Sequence, residues 1–393
     1  IIFIGALLLM LPIANRSGKN LGFVNCLLTA TSATCVTGLV AADTWSQWTL
    51  FGQLVILAMI QIGGLGFITI GVFVSIILRR RVSLKARGLM QESMNTLQIG
   101  GIVKLVRQLL FGTLIFEGIG ALLLAIRFAG DFGVGKGLYY GVFHSISAFC
   151  NGGFDLMGVR EPGSSMTYYA GDPFVNLTLI FLIMIGGIGF LVWDDLLKNK
   201  WHFRRYRLHT KIVLSMSAVL LFGGALMFFV LESDGILAGE PVGKQILVSL
   251  FQSATTRTAG FNTADTAALR DSSKLWMAML MFTGGNPGST AGGIKTTTLA
   301  VLLIYLRSTL RRTKGAEIFG RRLEEDVVKR AAAILTLSLL LDLFGTLILT
   351  AVEQLPLADV LFEVVSALGT VGISVGITGS LKTVSKLILM LLM

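Results

Sequence analysis

The sequence predicts an all-α, multi-pass membrane protein built from four copies of one helical unit. Three observations carry that prediction. First, 54% of the 393 residues are hydrophobic and only 14% are charged, whereas a soluble domain carries about a quarter charged residues. The mean hydropathy is +0.78. Second, apolar stretches long enough to cross a bilayer, which takes about 20 residues, recur at 50–78, 173–197, 208–231, 275–306 and 327–352. Third, four short segments, each behind a short amphipathic stretch, end in glycine at near-equal spacing. They read Thr34-Cys35-Val36-Thr37-Gly38, Phe149-Cys150-Asn151-Gly152-Gly153, Thr256-Arg257-Thr258-Ala259-Gly260 and Leu368-Gly369-Thr370-Val371-Gly372. Their closing glycines lie 115, 107 and 112 residues apart.

Each unit reads as a first span, a short helix, the glycine-ended segment and a second span. Repeat 1 covers 1–78, with its short helix at 20–33. A loop at 79–98 leads to repeat 2 at 99–197, with a short helix at 137–148. A loop at 198–207 leads to repeat 3 at 208–306, with a short helix at 242–255. A loop at 307–326 leads to repeat 4 at 327–393, with a short helix at 357–367. Helices of about 12–14 residues are too short to span and suit re-entrant segments. The chain opens at Ile1 and closes at Met393 within apolar runs, so the first and last spans read as trimmed.

The net charge is +11, and its distribution gives orientation. Of 33 Lys and Arg, 7 fall in 79–107, 6 in 198–211 and 8 in 307–330. Positive charge near span ends marks the cytoplasmic side. No basic domain stands apart from the spans, so nucleic acid is not expected as a partner. The glycine segments then face outward. Trp45, Trp48 and Trp276 fall near the outer interface and Trp193 and Trp201 near the inner one. All four repeats share one orientation, unlike the inverted repeats of many carriers. The three cysteines, Cys26, Cys35 and Cys150, show no metal-ligand spacing and read as packing residues. No catalytic triad or metal constellation occurs, so no enzyme is expected.

Four glycine-ended loops facing one way suggest a single pseudo-fourfold pore. Irregular backbone at membrane depth is tolerated where it lines a cavity. A potassium-type site replaces the ion's water with rings of backbone carbonyls. Glycine permits the backbone angles and the close approach that such rings need. Helix C-termini aimed at the axis add partial negative charge. The side chains of the segments form no ring of like charges, so selectivity is expected from main-chain oxygens. Arg257 is the odd member and is expected to point behind the segments, with Glu363 as one candidate partner. Asp43, Asp155 and Asp265 either concentrate cations at the outer mouth or are plain loop acids.

These segments, together with Ala33, Leu39, Phe154, Phe261 and Asn262 beside them, resemble the potassium-translocating subunits of the Trk/Ktr/HKT superfamily, closest to the KtrB type. The resemblance spans essentially the whole chain. It implies four M1–pore helix–M2 repeats around a pseudo-fourfold axis in one chain, with Gly38, Gly153, Gly260 and Gly372 as filter glycines. Members with serine at the first position tend to favour sodium, so four glycines imply potassium (K+) as the ion. The resemblance further implies a homodimer, a cytoplasmic KtrA-like regulatory ring that binds nucleotide, sodium (Na+) as an activator, and a bacterial cytoplasmic membrane. The family's arginine low in the last second span is not carried over, because that point lies beyond Met393.

The second span of repeat 3 is interrupted at 283–296 by Gly284, Gly285, Asn286, Pro287, Gly288, Ser289, Thr290, Ala291, Gly292 and Gly293, followed by Lys295. Glycine and proline in this density break a helix. The resemblance implies an intramembrane gating loop. Lys295 either opposes cation flow or anchors to a carbonyl or acid. The stretches at 63–66 and 186–189 read as milder small-residue packing. The loop misses the phosphate-loop pattern by one residue, Ile294, and follows no strand, so no nucleotide is expected on this chain. Glu117 and Asp342 read as interhelical hydrogen-bonding groups and His144 as a packing residue. The basic loops fit either positive-inside topology or docking of the ring. The competing function is a secondary carrier coupling potassium to a sodium or proton gradient.

Overall fold

The computed structural model describes residues 1–19, 21–66, 102–200, 202–312 and 315–393. The cytoplasmic loop expected at 79–98, the second half of the span expected at 50–78, and Trp201 lie outside the described residues. Fourteen helices carry the fold among the described residues, setting aside single turns. Repeat 1 supplies α1 (Ile2–Met10), α2 (Phe23–Thr34) and α3 (Leu50–Leu65). Repeat 2 supplies α4 (Ile102–Phe132), α5 (Val134–Phe149), α6 (Pro173–Gly187) and α7 (Phe190–Asn199). Repeat 3 supplies α8 (Leu208–Glu232), α9 (Val242–Thr255), α10 (Asp271–Phe282) and α11 (Thr296–Leu310). Repeat 4 supplies α12 (Glu325–Glu353), α13 (Leu357–Leu368) and α14 (Thr383–Leu392). The segments Val106–Phe132, Leu208–Glu232 and Glu325–Glu353 are long and apolar enough to cross a membrane.

The short helices start where the sequence forces a turn. Gly22 and Gly133 precede α2 and α5 with φ of 85° and 81°, a region that costs side-chain-bearing residues. Pro241 and Pro356 precede α9 and α13, where a fixed φ and a missing N–H are no handicap. Helix α9 matches its expected bounds, while α2 starts later and α5 starts earlier than expected.

Two second spans depart from the expected form. Helices α6 and α7 meet at 97°, so the 186–189 stretch is a right-angled break as well as a site of small-residue packing. Gly189 has φ 98°, and the N–H of Phe190 bonds to Gly288 O of the repeat 3 loop at 2.8 Å. Helix α3 stops at Leu65, before Gly66 with φ 82°. One small departure from all-helical structure sits in the third basic loop. It is an antiparallel hairpin of β1 (Glu317–Ile318) and β2 (Arg321–Arg322), turned through Phe319 and Gly320 at φ 50° and 73°.

The repeats close into a ring. Each first span packs on the short helix of its own repeat, and each second span packs on the short helix of the next: α3 on α5, α6 on α9, α10 on α13 and α14 back on α2. The fourth residue of every second-span helix is polar, and in three repeats it bonds across that joint. Gln53 Oε1 accepts from Tyr139 Oη at 2.9 Å. Lys274 Nζ pairs with Asp359 Oδ1 at 2.8 Å. Lys386 Nζ donates to Asn25 Oδ1 at 2.9 Å and to Gly379 O at 2.8 Å. In repeat 2 the equivalent Asn176 instead bonds the carbonyls of Tyr169 and Asp172 at 2.6 and 2.7 Å.

Lys386 is therefore the polar tie that joins the last repeat to the first. Replacing it by Met leaves Asn25 and Gly379 without that donor, at a cost of about 1–3 kcal/mol. The expected outcome for K386M is a lower thermal midpoint of the detergent-solubilised protein, and an unchanged midpoint would show that this tie does not hold the ring.

Candidate functional site

The four segments converge, and their closing glycines touch. A methyl group added to Gly38 would lie 3.0 Å from Gly153 Cα and 3.3 Å from Gly372 Cα. One on Gly153 would lie 3.0 Å from both Gly260 Cα and Gly38 Cα. One on Gly260 would meet Val371 O at 2.8 Å, and one on Gly372 would meet Thr37 O at 2.1 Å. The order around the ring is therefore the chain order of the repeats.

Backbone hand explains what such a ring presents. Each glycine has positive φ: 97°, 68°, 83° and 89° at Gly38, Gly153, Gly260 and Gly372. The residue two before it also has positive φ: 57°, 58°, 68° and 50° at Val36, Asn151, Thr258 and Thr370. The residues between them, Thr37, Gly152, Ala259 and Val371, do not. In an extended strand successive carbonyls alternate sides; reversing the hand at every second residue turns successive carbonyls the same way. Val36, Thr258 and Thr370 are β-branched, for which this region is costly, roughly 1–3 kcal/mol each. Strain repeated at one level in all four repeats marks the site.

The strain is held by the ends of the short helices. Backbone N–H groups of Thr37, Gly152 and Val371 donate to Ser32 O, Ser147 O and Ser366 O at 2.8, 2.6 and 2.8 Å, and Ala259 N to Thr255 O at 2.9 Å. Hydroxyls reinforce them. Ser32 Oγ and Ser366 Oγ accept from Gly38 N and Gly372 N at 2.9 and 3.1 Å. Ser147 Oγ donates to Phe154 O at 2.7 Å, and Thr255 Oγ1 donates to Phe261 O at 2.6 Å. The second spans yield room through glycine: a methyl on Gly63 would lie 2.0 Å from Thr34 O, and one on Gly186 would lie 1.9 Å from Phe149 O. The small-residue packing expected at both stretches is thus directed at the carboxyl ends of the short helices.

Beneath the ring, the interrupted stretch of repeat 3 folds into a loop held by its neighbours. Within it, Gly284 N bonds Ile294 O at 2.9 Å and Gly285 N bonds Gly292 O at 3.1 Å. Toward repeat 2, Asn286 Nδ2 donates to Gly187 O at 2.8 Å and Thr290 Oγ1 to Phe149 O at 3.0 Å. Thr296 Oγ1 bonds Asn286 Oδ1, and Ser289 Oγ bonds Asn286 O at 2.6 Å. Toward repeat 4, a methyl on Gly292 would collide with Thr370 Oγ1, and one on Gly293 would lie 3.0 Å from Gly369 O. The loop thus abuts the inner ends of the segments of both flanking repeats. Lys295 Nζ donates to Ala291 O and Gly292 O at 2.7 and 3.3 Å, so its anchor is the loop's own carbonyls.

Outside the ring, an open vestibule of about 740 Å³ is lined by the four glycines together with Asp43, Asp155, Glu161, Glu240, Asp265 and Lys244. Asp43 caps a helical turn by accepting from Ser46 N at 2.7 Å and also accepts from Gly163 N at 3.1 Å. Asp155 accepts from Met157 N at 2.9 Å. Burial, with the neighbouring Asp43 carboxylate second, pushes the Asp155 carboxyl up to about 7. Asp265 accepts from Ala267 N at 3.0 Å.

Several expectations are revised. The Arg257 guanidinium is buried, and Glu363 is not its partner: that carboxylate bonds Ser374 Oγ at 3.0 Å and Thr378 Oγ1. The Nε and Nη1 of Arg257 have no partner among the described residues. Its carbonyl accepts from Asn151 Nδ2 at 3.2 Å. Glu117 does join helices, accepting from Gln61 Nε2 at 3.1 Å, with Cys150 Sγ at 3.8 Å. Asp342 is buried, with Oδ1 unpartnered among the described residues. Trp48 is wholly buried and no interface anchor. His144, read as a packing residue, uses both ring nitrogens: Nδ1 lies 2.7 Å from Tyr140 O, and Nε2 accepts from Leu156 N at 3.1 Å. The anchoring hydroxyls of Ser32, Ser147, Thr255 and Ser366 were also missed. Their fixed distance of five or six residues before each glycine was the available signal.

Four re-entrant helices meeting at one axis, within a ring of membrane-spanning helices, define a membrane transport protein and not an enzyme. The chain belongs to the TrkH family of cation transport proteins, whose model matches residues 1–393. It is 42% identical over 394 residues to Ktr system potassium uptake protein B of Bacillus subtilis, covering 100% of this chain and 87% of that protein. It is 36% identical over 398 residues to the potassium/sodium uptake protein NtpJ of Enterococcus hirae, with 100% and 87% covered. The crystal structure of the potassium transporter TrkH from Vibrio parahaemolyticus shares the fold, with a TM-score of 0.79 at 18% identity over 100% of this chain and 79% of that one.

The ring packing can be separated from backbone strain. Gly372 and Gly376 have nearly equal φ, 89° and 91°, but a methyl on Gly376 meets nothing within 4 Å. G372A is expected to lower the thermal midpoint by clearly more than G376A, whose strain alone costs about 1–3 kcal/mol. Equal losses would mean that the glycines do not touch.

Proposed function

We propose that this protein takes up potassium across a bacterial cytoplasmic membrane, through a filter formed by the four glycine-ended segments. One observation carries the reading: four glycines in mutual contact, with matched left-handed residues, in a chain whose relatives are named for potassium uptake. Cations gather in the acidic vestibule, where each carboxylate raises local concentration. Asp155, with its carboxyl near neutrality, adds charge there as pH rises through about 7. An entering ion exchanges water for carbonyls aligned along the axis. The C-terminal ends of α2, α5, α9 and α13 contribute partial negative charge. The repeats on this reading are 1–78, 99–197, 208–306 and 327–393.

The loop at 283–296 acts as the gate. Its bonds to Phe149 O and Gly187 O hold it against the inner ends of the segments, and Lys295 keeps positive charge beneath the axis. Movement of the loop removes both obstacles. The subunit works as a homodimer on a cytoplasmic, nucleotide-binding regulatory ring, docked on the basic loops. The Ktr name of its relatives, that of a system, supports partner subunits. Sodium acts as an activator. A second reading, in which sodium moves together with potassium, draws support from the name of the Enterococcus hirae relative.

The test is potassium-limited growth and ion flux in an uptake-deficient bacterium carrying the full-length protein with its partner subunits. G38S and G153S are expected to weaken potassium affinity and admit sodium; intact discrimination in both would remove the filter assignment. A fixed ratio of sodium to potassium entry in the parent would favour coupled transport. Deleting residues 284–293 is expected to raise flux, and flux that stays at the parental level would make the loop structural only.

A further inference from the structure

The strands leaving the glycine ring are pinned by side chains that share one property and no chemistry. In repeat 2, the third residue after the glycine, Leu156, donates its N–H to His144 Nε2 at 3.1 Å. The contact of His144 Nδ1 with Tyr140 O at 2.7 Å places the proton on Nδ1 and leaves Nε2 as the acceptor. In repeat 3, the N–H groups of the third and fourth residues after the glycine, Thr263 and Ala264, face the Gln252 amide, whose oxygen accepts them at 3.3 and 3.1 Å when the amide is turned to satisfy both of its ends. In repeat 4, the second and sixth residues after the glycine, Ser374 and Thr378, donate their hydroxyls to the Glu363 carboxylate, Ser374 Oγ at 3.0 Å. His144 and Glu363 stand nine residues before their glycines and Gln252 eight. All three are wholly buried on the short helices. Among the described residues, repeat 1 shows no such acceptor: Thr29, nine before Gly38, spends its hydroxyl on Asn25 O at 2.9 Å.

We infer that His144, Gln252 and Glu363 are positioning residues that fix the outer end of three of the four segments, and so set the carbonyl spacing on which ion discrimination depends. The inference rests on the filter reading above. A left-handed backbone costs energy and persists only where its surroundings over-determine it. Ser147, Thr255 and Ser366 pin the segments near their helices. Without a second pin the outer end is free to relax. The histidine, amide and carboxylate are interchangeable for this task because each offers a buried acceptor to donors on the strand leaving the ring, and an orphaned buried donor is costly.

The experiment compares His144→Phe, which fills the space without an acceptor, with His144→Gln, which restores one. Potassium KM, maximal uptake rate and sodium entry are measured for the full-length protein with its partner subunits. H144F is expected to raise KM and lower potassium-over-sodium discrimination about three- to tenfold, the range of one lost hydrogen bond, with less effect on maximal rate. H144Q is expected to return both toward the parent. Gln252→Leu tests the same device in another repeat and keeps the inference falsifiable if H144F does not fold. Equal losses in H144F and H144Q would assign packing volume instead of an acceptor. Unaltered discrimination in both H144F and Q252L, with G153S altered in the same assay, would overturn the positioning role. Unaltered discrimination in G153S as well would overturn the filter reading, and this inference with it.

Discussion

Four backbones meet at one axis with no room for a single methyl group, and most of the architecture serves that contact. At Gly372 a notional Cβ would collide with Thr37 O, so that position admits only the smallest residue. Left-handed β-branched residues two positions earlier oppose it energetically. The short helices answer with paired anchors, a main-chain carbonyl and a hydroxyl placed five or six residues before the glycine. The second spans answer with Gly63 and Gly186, which allow their backbones against the carbonyl ends of those same helices.

A ring of four units needs its last joint as firmly as its first three. The chain supplies it through the packing of each second span on the next short helix. The polar residue at the fourth position of the span has diverged to glutamine, asparagine or lysine, yet in three joints it still reaches the neighbouring short helix. The acceptor side has diverged in step, as tyrosine, aspartate and asparagine. Geometry has been kept where chemistry has drifted. The strand acceptors His144, Gln252 and Glu363 follow the same rule.

That drift explains what could be read from sequence. Composition and long apolar stretches gave the membrane class, because bilayer thickness fixes span length. Glycine spacing gave the four units, because a bare Cα best suits so close a contact. Helix 242–255 was legible to the residue, since Pro241 sets its start and the glycine segment its end. The 97° break at 187–190 was not, because it depends on Gly288 O arriving from another repeat. His144 was not, because an acceptor role shared by histidine, glutamine and glutamate leaves no common motif. The environment of Arg257 was not, because its one named candidate partner, Glu363, is already committed to hydroxyls within its own repeat.

Among the described residues, the loop beneath the ring comes from one repeat and touches the segments on both sides of it. In an assembly of four identical subunits every feature appears at multiplicity four. Four such loops would compete for the same volume, and four guanidinium groups at the level of Arg257 would stand around one axis and repel one another. The equivalent positions here are Cys35, Cys150 and Gly369. Fusing the units into one chain breaks that compulsory multiplicity. It permits a single loop under the axis and a single buried guanidinium beside it, while the glycines that must be fourfold stay so.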